Sequence, residues 1–196
     1  MIKSAKKSAY KVFDNQNVKE KFDINIHKRI VTGIHECEND DWRVIVAHNN
    51  DGYLNNSLNY IDQEGSVFML DRHYHGYTRF LTLLTNLGDS LQKVYMSGLG
   101  LGTMIPVILS YSNVKILNVV ENNASLIDLI QPFYNKYIES GRLSISCADA
   151  RSPGDDHGYY YVLAFHDIWT SDNKDERVHM LNTYMDRSKV QVCWNS

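Results

Sequence analysis

Ser97-Gly98-Leu99-Gly100-Leu101-Gly102-Thr103 follows a short apolar run, Val94 to Met96, and opens another, Met104 to Leu109. A strand, a glycine turn and a helix start, in that order, make a cradle for a nucleotide-like ligand. Glycine permits positive φ, and it lets a ligand approach the backbone without meeting a Cβ. The spacing narrows the ligand. A dinucleotide fingerprint reads G-x-G-x-x-G or A. Here the third glycine comes one position early, and Thr103 stands where the last would be. A phosphate loop would need Lys followed by Ser or Thr, and neither is in place. A purely structural tight turn would carry similar glycines, so the residues downstream decide between the readings.

Val114 to Val120 is rich in β-branched residues and reads as a buried parallel strand ending in Glu121. Ligands of open α/β sheets bind beyond the carboxyl ends of strands, and an acid there accepts ribose hydroxyls. Each charge-assisted hydrogen bond of that kind contributes roughly 1.5–3 kcal/mol. Glu121 equally suits the approach to a helix, with Asn122 or Asn123 as N-cap. A third strand, Leu143 to Cys147, leads into Ala148-Asp149-Ala150. A fourth, Tyr159 to Phe165, runs into His166-Asp167-Ile168-Trp169. Four strand ends thus deliver a glycine turn, Glu121, Asp149 and the pair His166-Asp167 to one rim.

The order GLGLGT, VVE, CADA, HDIW resembles the class I S-adenosylmethionine-dependent methyltransferase superfamily. Within it, the chain is most similar to the spermidine synthase-like branch, including its short phage and bacterial forms. The likeness runs from about Gly65 to the C-terminus. It implies a Rossmann-like α/β sheet, shortened at the C-terminus, with a small N-terminal antiparallel β unit. It also implies that Gly98, Gly100 and Gly102 pack against the methionine and ribose of the ligand. Glu121 would hold the ribose hydroxyls, and Asp149 the adenine amino group with Ala150 near the ring. Asp167 would act on the attacking amine. Tyr77, in Asp71-Arg72-His73-Tyr74-His75-Gly76-Tyr77, matches a ligand-contacting tyrosine, but Thr78 replaces the glutamine that follows it in spermidine synthases. The acidic cluster after the fourth strand is altered too, to His166-Asp167-Ile168-Trp169-Thr170-Ser171-Asp172.

The cofactor so implied is S-adenosylmethionine or its decarboxylated form, and the acceptor a small-molecule amine. The alternative is a non-catalytic nucleoside-binding module acting through a protein partner. An NAD-linked oxidoreductase is disfavoured by the glycine spacing. DNA amino-methylating enzymes carry an Asn/Asp-Pro-Pro-aromatic motif after the fourth strand, and cytosine enzymes a Pro-Cys. This chain's only prolines are Pro106, Pro132 and Pro153. Asp167 is the expected catalytic group. His166 is the second candidate, as a general base or as an orienting partner of Asp167. His73 and His75 alone do not make a metal site, and none is expected.

The elements that must place these residues divide the chain in two. Residues 1–64 comprise a polar tail and a β-hairpin, Arg29 to Ile34 and Trp42 to His48, around a turn at Asn39, Asp40 and Asp41. Asn49 to Asn59, rich in Asn, reads as a loop, and Ser66 to Leu70 as a further strand. Residues 65–196 form the nucleoside-binding core. In it, helices are expected over Thr78 to Leu87, over Ala124 to Tyr137 with a break at Pro132, and over Asp175 to Tyr184. A last strand is expected at Val190 to Trp194. An uncovered edge strand at that end calls for cover by the hairpin or by a homodimer contact.

The chain has 196 residues, 43% of them apolar, enough for one substantial core. Its net charge of −3 gives no broad attraction to nucleic acid. Cys37, Cys147 and Cys193 are isolated, which suits buried free thiols in a reducing compartment. No secretory apolar region or long apolar span appears, so the expected location is cytoplasmic with no membrane partner.

Overall fold

Apolar residues at every second position of five short runs build a parallel sheet. The runs are β5 (Lys93–Ser97), β6 (Ile116–Glu121), β7 (Leu143–Cys147), β8 (Tyr161–His166) and β9 (Ser188–Cys193). Their order is β7-β6-β5-β8-β9, all parallel, which is the arrangement of a Rossmann-like α/β fold. Four earlier strands form a separate antiparallel sheet, β1 (Cys37–Glu38), β2 (Trp42–His48), β3 (Leu54–Tyr60) and β4 (Val67–Leu70). The computed structural model describes residues 34–48, 54–60, 67–70, 83–153, 160–168 and 174–193.

One face of the parallel sheet is packed by α1 (Met104–Leu109) and α2 (Ala124–Ile130). Val94, Met96, Leu117, Val119, Leu163 and Phe165 meet the apolar sides of these helices in a single core. Asn123 caps α2, its side chain accepting from the Leu126 N–H at 2.9 Å. Pro132 ends the α-helical run. Gln131–Tyr134 tightens into a 3₁₀ turn, and α3 (Asn135–Glu139) resumes the path. The Arg142 guanidinium donates to the carbonyls of Leu109, Tyr111 and Val114, satisfying the end of α1 and the turn after it. The other face is covered by α4 (Lys174–Thr183) and Tyr184.

The N-terminal hairpin turns at residues 39–41 but takes Cys37–Glu38 as its first strand, while the expected partner, Arg29 to Ile34, lies outside the described residues except for Ile34. The segment read as an Asn-rich loop contains a strand: β3 pairs with β2 from Trp42↔Tyr60 to His48↔Leu54. A full-length neighbour satisfies the backbone of such a segment whatever its side chains prefer. β4 adds to the far side of β3, with a bulge at Leu58/Asn59. Trp42 and Val44 enter the main core, and the Asn39 side chain donates to the Ser125 carbonyl on α2 at 2.8 Å. The hairpin therefore docks on α2 instead of covering the sheet edge. Among the described residues, no strand pairs with the outer side of β9.

Candidate functional site

In this strand order the chain path reverses at β5: β6 follows on one side and β8 lies on the other. Ligand crevices of open α/β sheets form at such switch points, beyond the carboxyl ends of the strands. The turn after β5 begins with Gly98, whose N–H donates to the Val120 carbonyl at 2.8 Å. Its φ is 88°, and a Cβ there would lie 1.9 Å from the Asp167 carbonyl oxygen. Only glycine lets the exits of β5 and β8 touch. Gly102 (φ 68°) repeats the logic further on: a Cβ would lie 2.4 Å from the Tyr134 ring. The Tyr134 hydroxyl donates to the Leu101 carbonyl at 2.8 Å, locking the far end of the turn. Gly100, between them, also has positive φ, 49°.

Glu121 ends β6 and joins two loops. One carboxylate oxygen accepts from the Leu99 N–H in the glycine turn at 3.0 Å, and the other from the Asn123 N–H at 3.0 Å. A carboxylate offers about two acceptor positions per oxygen, so each retains capacity for a hydroxyl donor. The Glu121 backbone carbonyl accepts from the Ala148 N–H at 3.0 Å, tying in the loop after β7.

In that loop Asp149 is exposed. Its Oδ1 accepts from the backbone N–H and the Nε of Arg151, at 2.9 and 3.0 Å. Those bonds, the backbone one foremost, hold its carboxyl below the ordinary value. Arg151 also lies 3.8 Å from Glu176 on α4. Ala150 is buried, and its carbonyl accepts from the Tyr184 hydroxyl at 3.0 Å. Tyr184 in turn bonds the Tyr95 hydroxyl. Burial raises the pKa of both phenols, so they remain neutral.

Asp167 is half-buried, and its N–H donates to the Ser97 carbonyl at 2.9 Å. Its carboxyl makes no hydrogen bond or ion pair among the described residues, and burial pushes its pKa up to about 7. His166 is fully buried. Its Nδ1 lies 2.9 Å from Ser97 Oγ and its Nε2 3.2 Å from Gln191 Oε1. Burial lowers its pKa to about 4, so the ring is neutral at physiological pH. The sequence reading left a general-base role open for His166. The structure buries the ring inside the fold with both nitrogens engaged.

The fold thus brings Gly98, Gly100, Gly102, Glu121 and Asp167 to the carboxyl-end rim of the sheet, with Asp149 and Ala150 on the adjoining loop. Tyr77, His73, His75 and Trp169 lie outside the described residues. Cys147, expected to be buried, is exposed at the end of β7, because β7 is the sheet edge and cover thins along it from buried Leu143 to half-buried Ile145. Ser97, Tyr184, Arg151 and Gln191 were not singled out from the sequence. Ser97, directly before the glycine turn, was the one with a local signal. No cluster of three or more metal-binding side chains occurs among the described residues, and no helix there is long and apolar enough to cross a membrane.

No family model matches the sequence, and neither does any curated protein. Solved structures do resemble the fold. Spermidine synthase from Thermotoga maritima is 16% identical, with a TM-score of 0.46, over 67% of this chain and 46% of that one. A putative RNA methyltransferase from Pyrococcus horikoshii is 17% identical, with a TM-score of 0.47, over 61% of this chain and 58% of that one. Human methyltransferase 10 domain containing protein is 11% identical, with a TM-score of 0.48, over 62% and 64%. The chain spans about half the length of the solved spermidine synthases it matches.

Proposed function

We propose that the protein binds S-adenosylmethionine, or its decarboxylated form, at the end of β5 and transfers a methyl or aminopropyl group to a small-molecule amine. The observation that carries this reading is the contact of Gly98 with the Asp167 backbone, which sets beside the glycine turn a half-buried residue whose carboxyl has no partner among the described residues. The residues fit the nucleoside. Glu121 keeps acceptor capacity on both oxygens for two ribose hydroxyls. The Oδ2 of Asp149, which has no partner among the described residues, suits the adenine amino group, and Ala150 leaves room beside the ring. When bound, the sulfonium supplies an activated carbon and a good leaving group.

The remaining work falls to this chain's own side chains. Glu121, and Asp167 when ionised, give the rim negative charge, which favours a cationic nucleoside and a protonated amine; the charge of Asp149 is offset by Arg151. Asp167, titrating near neutrality, accepts a proton from the ammonium and holds the free amine in place.

Calorimetric titration with S-adenosylmethionine, its decarboxylated form, methylthioadenosine and NADH tests the reading. Selective binding of the sulfonium compounds is expected, and their ranking indicates the group transferred. Glu121→Ala is expected to weaken binding by about 2–4 kcal/mol. Unchanged affinity in the folded variant removes the ribose role. Binding without product from any amine leaves a non-catalytic module, and no binding of any adenosyl compound overturns the proposal.

A further inference from the structure

Behind the crevice, a chain of side-chain hydrogen bonds crosses three strands. Gln191 on β9 donates through Nε2 to the Leu181 carbonyl of α4 at 2.9 Å. That bond turns its Oε1 toward His166 Nε2, 3.2 Å away. An amide oxygen can only accept, so Nε2 carries the imidazole proton. In a neutral ring Nδ1 is then an acceptor, and Ser97 Oγ, 2.9 Å away, donates to it. The direction of every bond follows from one backbone carbonyl.

The chain ends at Ser97, one residue before Gly98, and passes through His166, one residue before Asp167. The Ser97 carbonyl receives the Asp167 N–H. We propose that Gln191, His166 and Ser97 form a positioning relay, which transmits the placement of β9 and α4 to the Asp167 carboxyl and the glycine turn. The bearing of the relay on ligand rests on the proposed function; its effect on Asp167 does not.

The groups facing His166 leave it undisturbed by charge. Tyr95 on β5 and Tyr184 after α4 have ring centroids 6.2 and 4.9 Å away, and both phenols are held neutral. Cys193 on β9, its partner in the ladder, has a thiol raised to about 11 by burial. Asp167 adjoins it in sequence.

The test is ¹⁵N NMR of the His166 ring with ¹³C NMR of the Asp167 carboxyl, across pH 5 to 8. Wild-type protein is expected to show the Nε2–H tautomer throughout. Gln191→Met fills similar volume without an acceptor. It is expected to mix the tautomers and to move the Asp167 midpoint by about half a pH unit. His166→Asn keeps a polar group toward Ser97 but loses the bond to Gln191, and is expected to move that midpoint in the same direction. An Nδ1–H tautomer in the wild type overturns the relay without any variant. An unmoved Asp167 midpoint in folded Gln191→Met, with only the melting temperature lowered, also overturns it and leaves a structural bond. Failure of wild-type protein to bind S-adenosylmethionine would remove the function reading and leave the tautomer and the midpoint as they are.

Discussion

Val94 and Met96 of β5 point into an apolar core shared with α1 and α2, while Tyr95 and Ser97 of the same strand point into hydroxyls, an imidazole and an amide. At the central strands β5 and β8 both faces are closed to water, but by different physics. The apolar face is held by burial, which is non-directional and spread over many side chains. The polar face has a smaller apolar cluster around Ala164, Met180 and Tyr184 and adds directional bonds to it: Tyr95 to Tyr184, Asn118 to Tyr161, Ser97 to His166, His166 to Gln191. Such a network stabilises only when every member is satisfied, since an unpaired buried group is costly. The polar face is also the one that reaches the rim, through Tyr184 to the Ala150 carbonyl and through His166 to Asp167. The apolar face carries the larger buried cluster, and the polar face the longer chain of side-chain hydrogen bonds.

Truncations put that comparison at risk. Leu117→Ala, on the apolar face and fully buried, is expected to cost about 2–5 kcal/mol in urea unfolding while leaving the crevice groups in place. A loss well below that would mean the apolar core relaxes around the gap. Tyr184→Phe removes one hydroxyl and two bonds from the polar face, for about 1–3 kcal/mol. Its discriminating readout is amide exchange in residues 148–152, expected to quicken here and not in Leu117→Ala. Equal exchange in the two variants would erase the distinction between the faces.

The pH dependence of stability sharpens the comparison without truncation. Asp167, raised to about 7, keeps a proton in the folded state that the unfolded chain releases near pH 4, so its contribution to stability falls as pH rises from about 4 to 7. His166, lowered to about 4, lacks a proton that the unfolded chain binds below about 6.5, so its contribution rises over pH 4 to 6.5. The two slopes oppose each other in their shared window. Asp167→Asn removes the first, and the variant's stability is expected to rise with pH between 4 and 6.5 more steeply than that of the wild type. Parallel curves from denaturant melts at pH 4.5, 5.5 and 6.5 would show that Asp167 titrates alike in both states. The smallest effect belongs outside both faces. Arg43 and Glu38, 2.6 Å apart but 52% and 58% exposed, form a pair whose loss in Arg43→Ala is expected to cost less than about 1 kcal/mol. A larger loss would make the hairpin surface a structural contributor in its own right.

The apolar face was legible in the sequence because its signal is local. Runs such as Val114 to Val120 announce a buried strand, and glycines beside them announce a turn. Glu121 and Asp167 were found for the same reason: a carboxylate directly after an apolar run sits at a strand's carboxyl end. The polar face was not legible. Ser97 and His166 are 69 residues apart, and His166 and Gln191 are 25 apart. No periodicity links residues that meet only across a folded sheet. β3 was missed because its strand character comes from β2 and not from its own asparagines. Cys147 was misplaced because alternation gives a direction along the strand but not whether anything covers that side at a sheet edge.

The contact between Gly98 and Asp167 also governs motion. Beyond the regular ladder, the Gly98 N–H is bonded to β6 and the Asp167 N–H to β5. The glycine's missing side chain brings these exits into van der Waals contact. Three strand ends so joined are expected to open as one cooperative unit, with amide protons that exchange together in a hydrogen-exchange measurement. The exits of β5, β6 and β8 are thereby fastened to one another at the carboxyl end of the sheet.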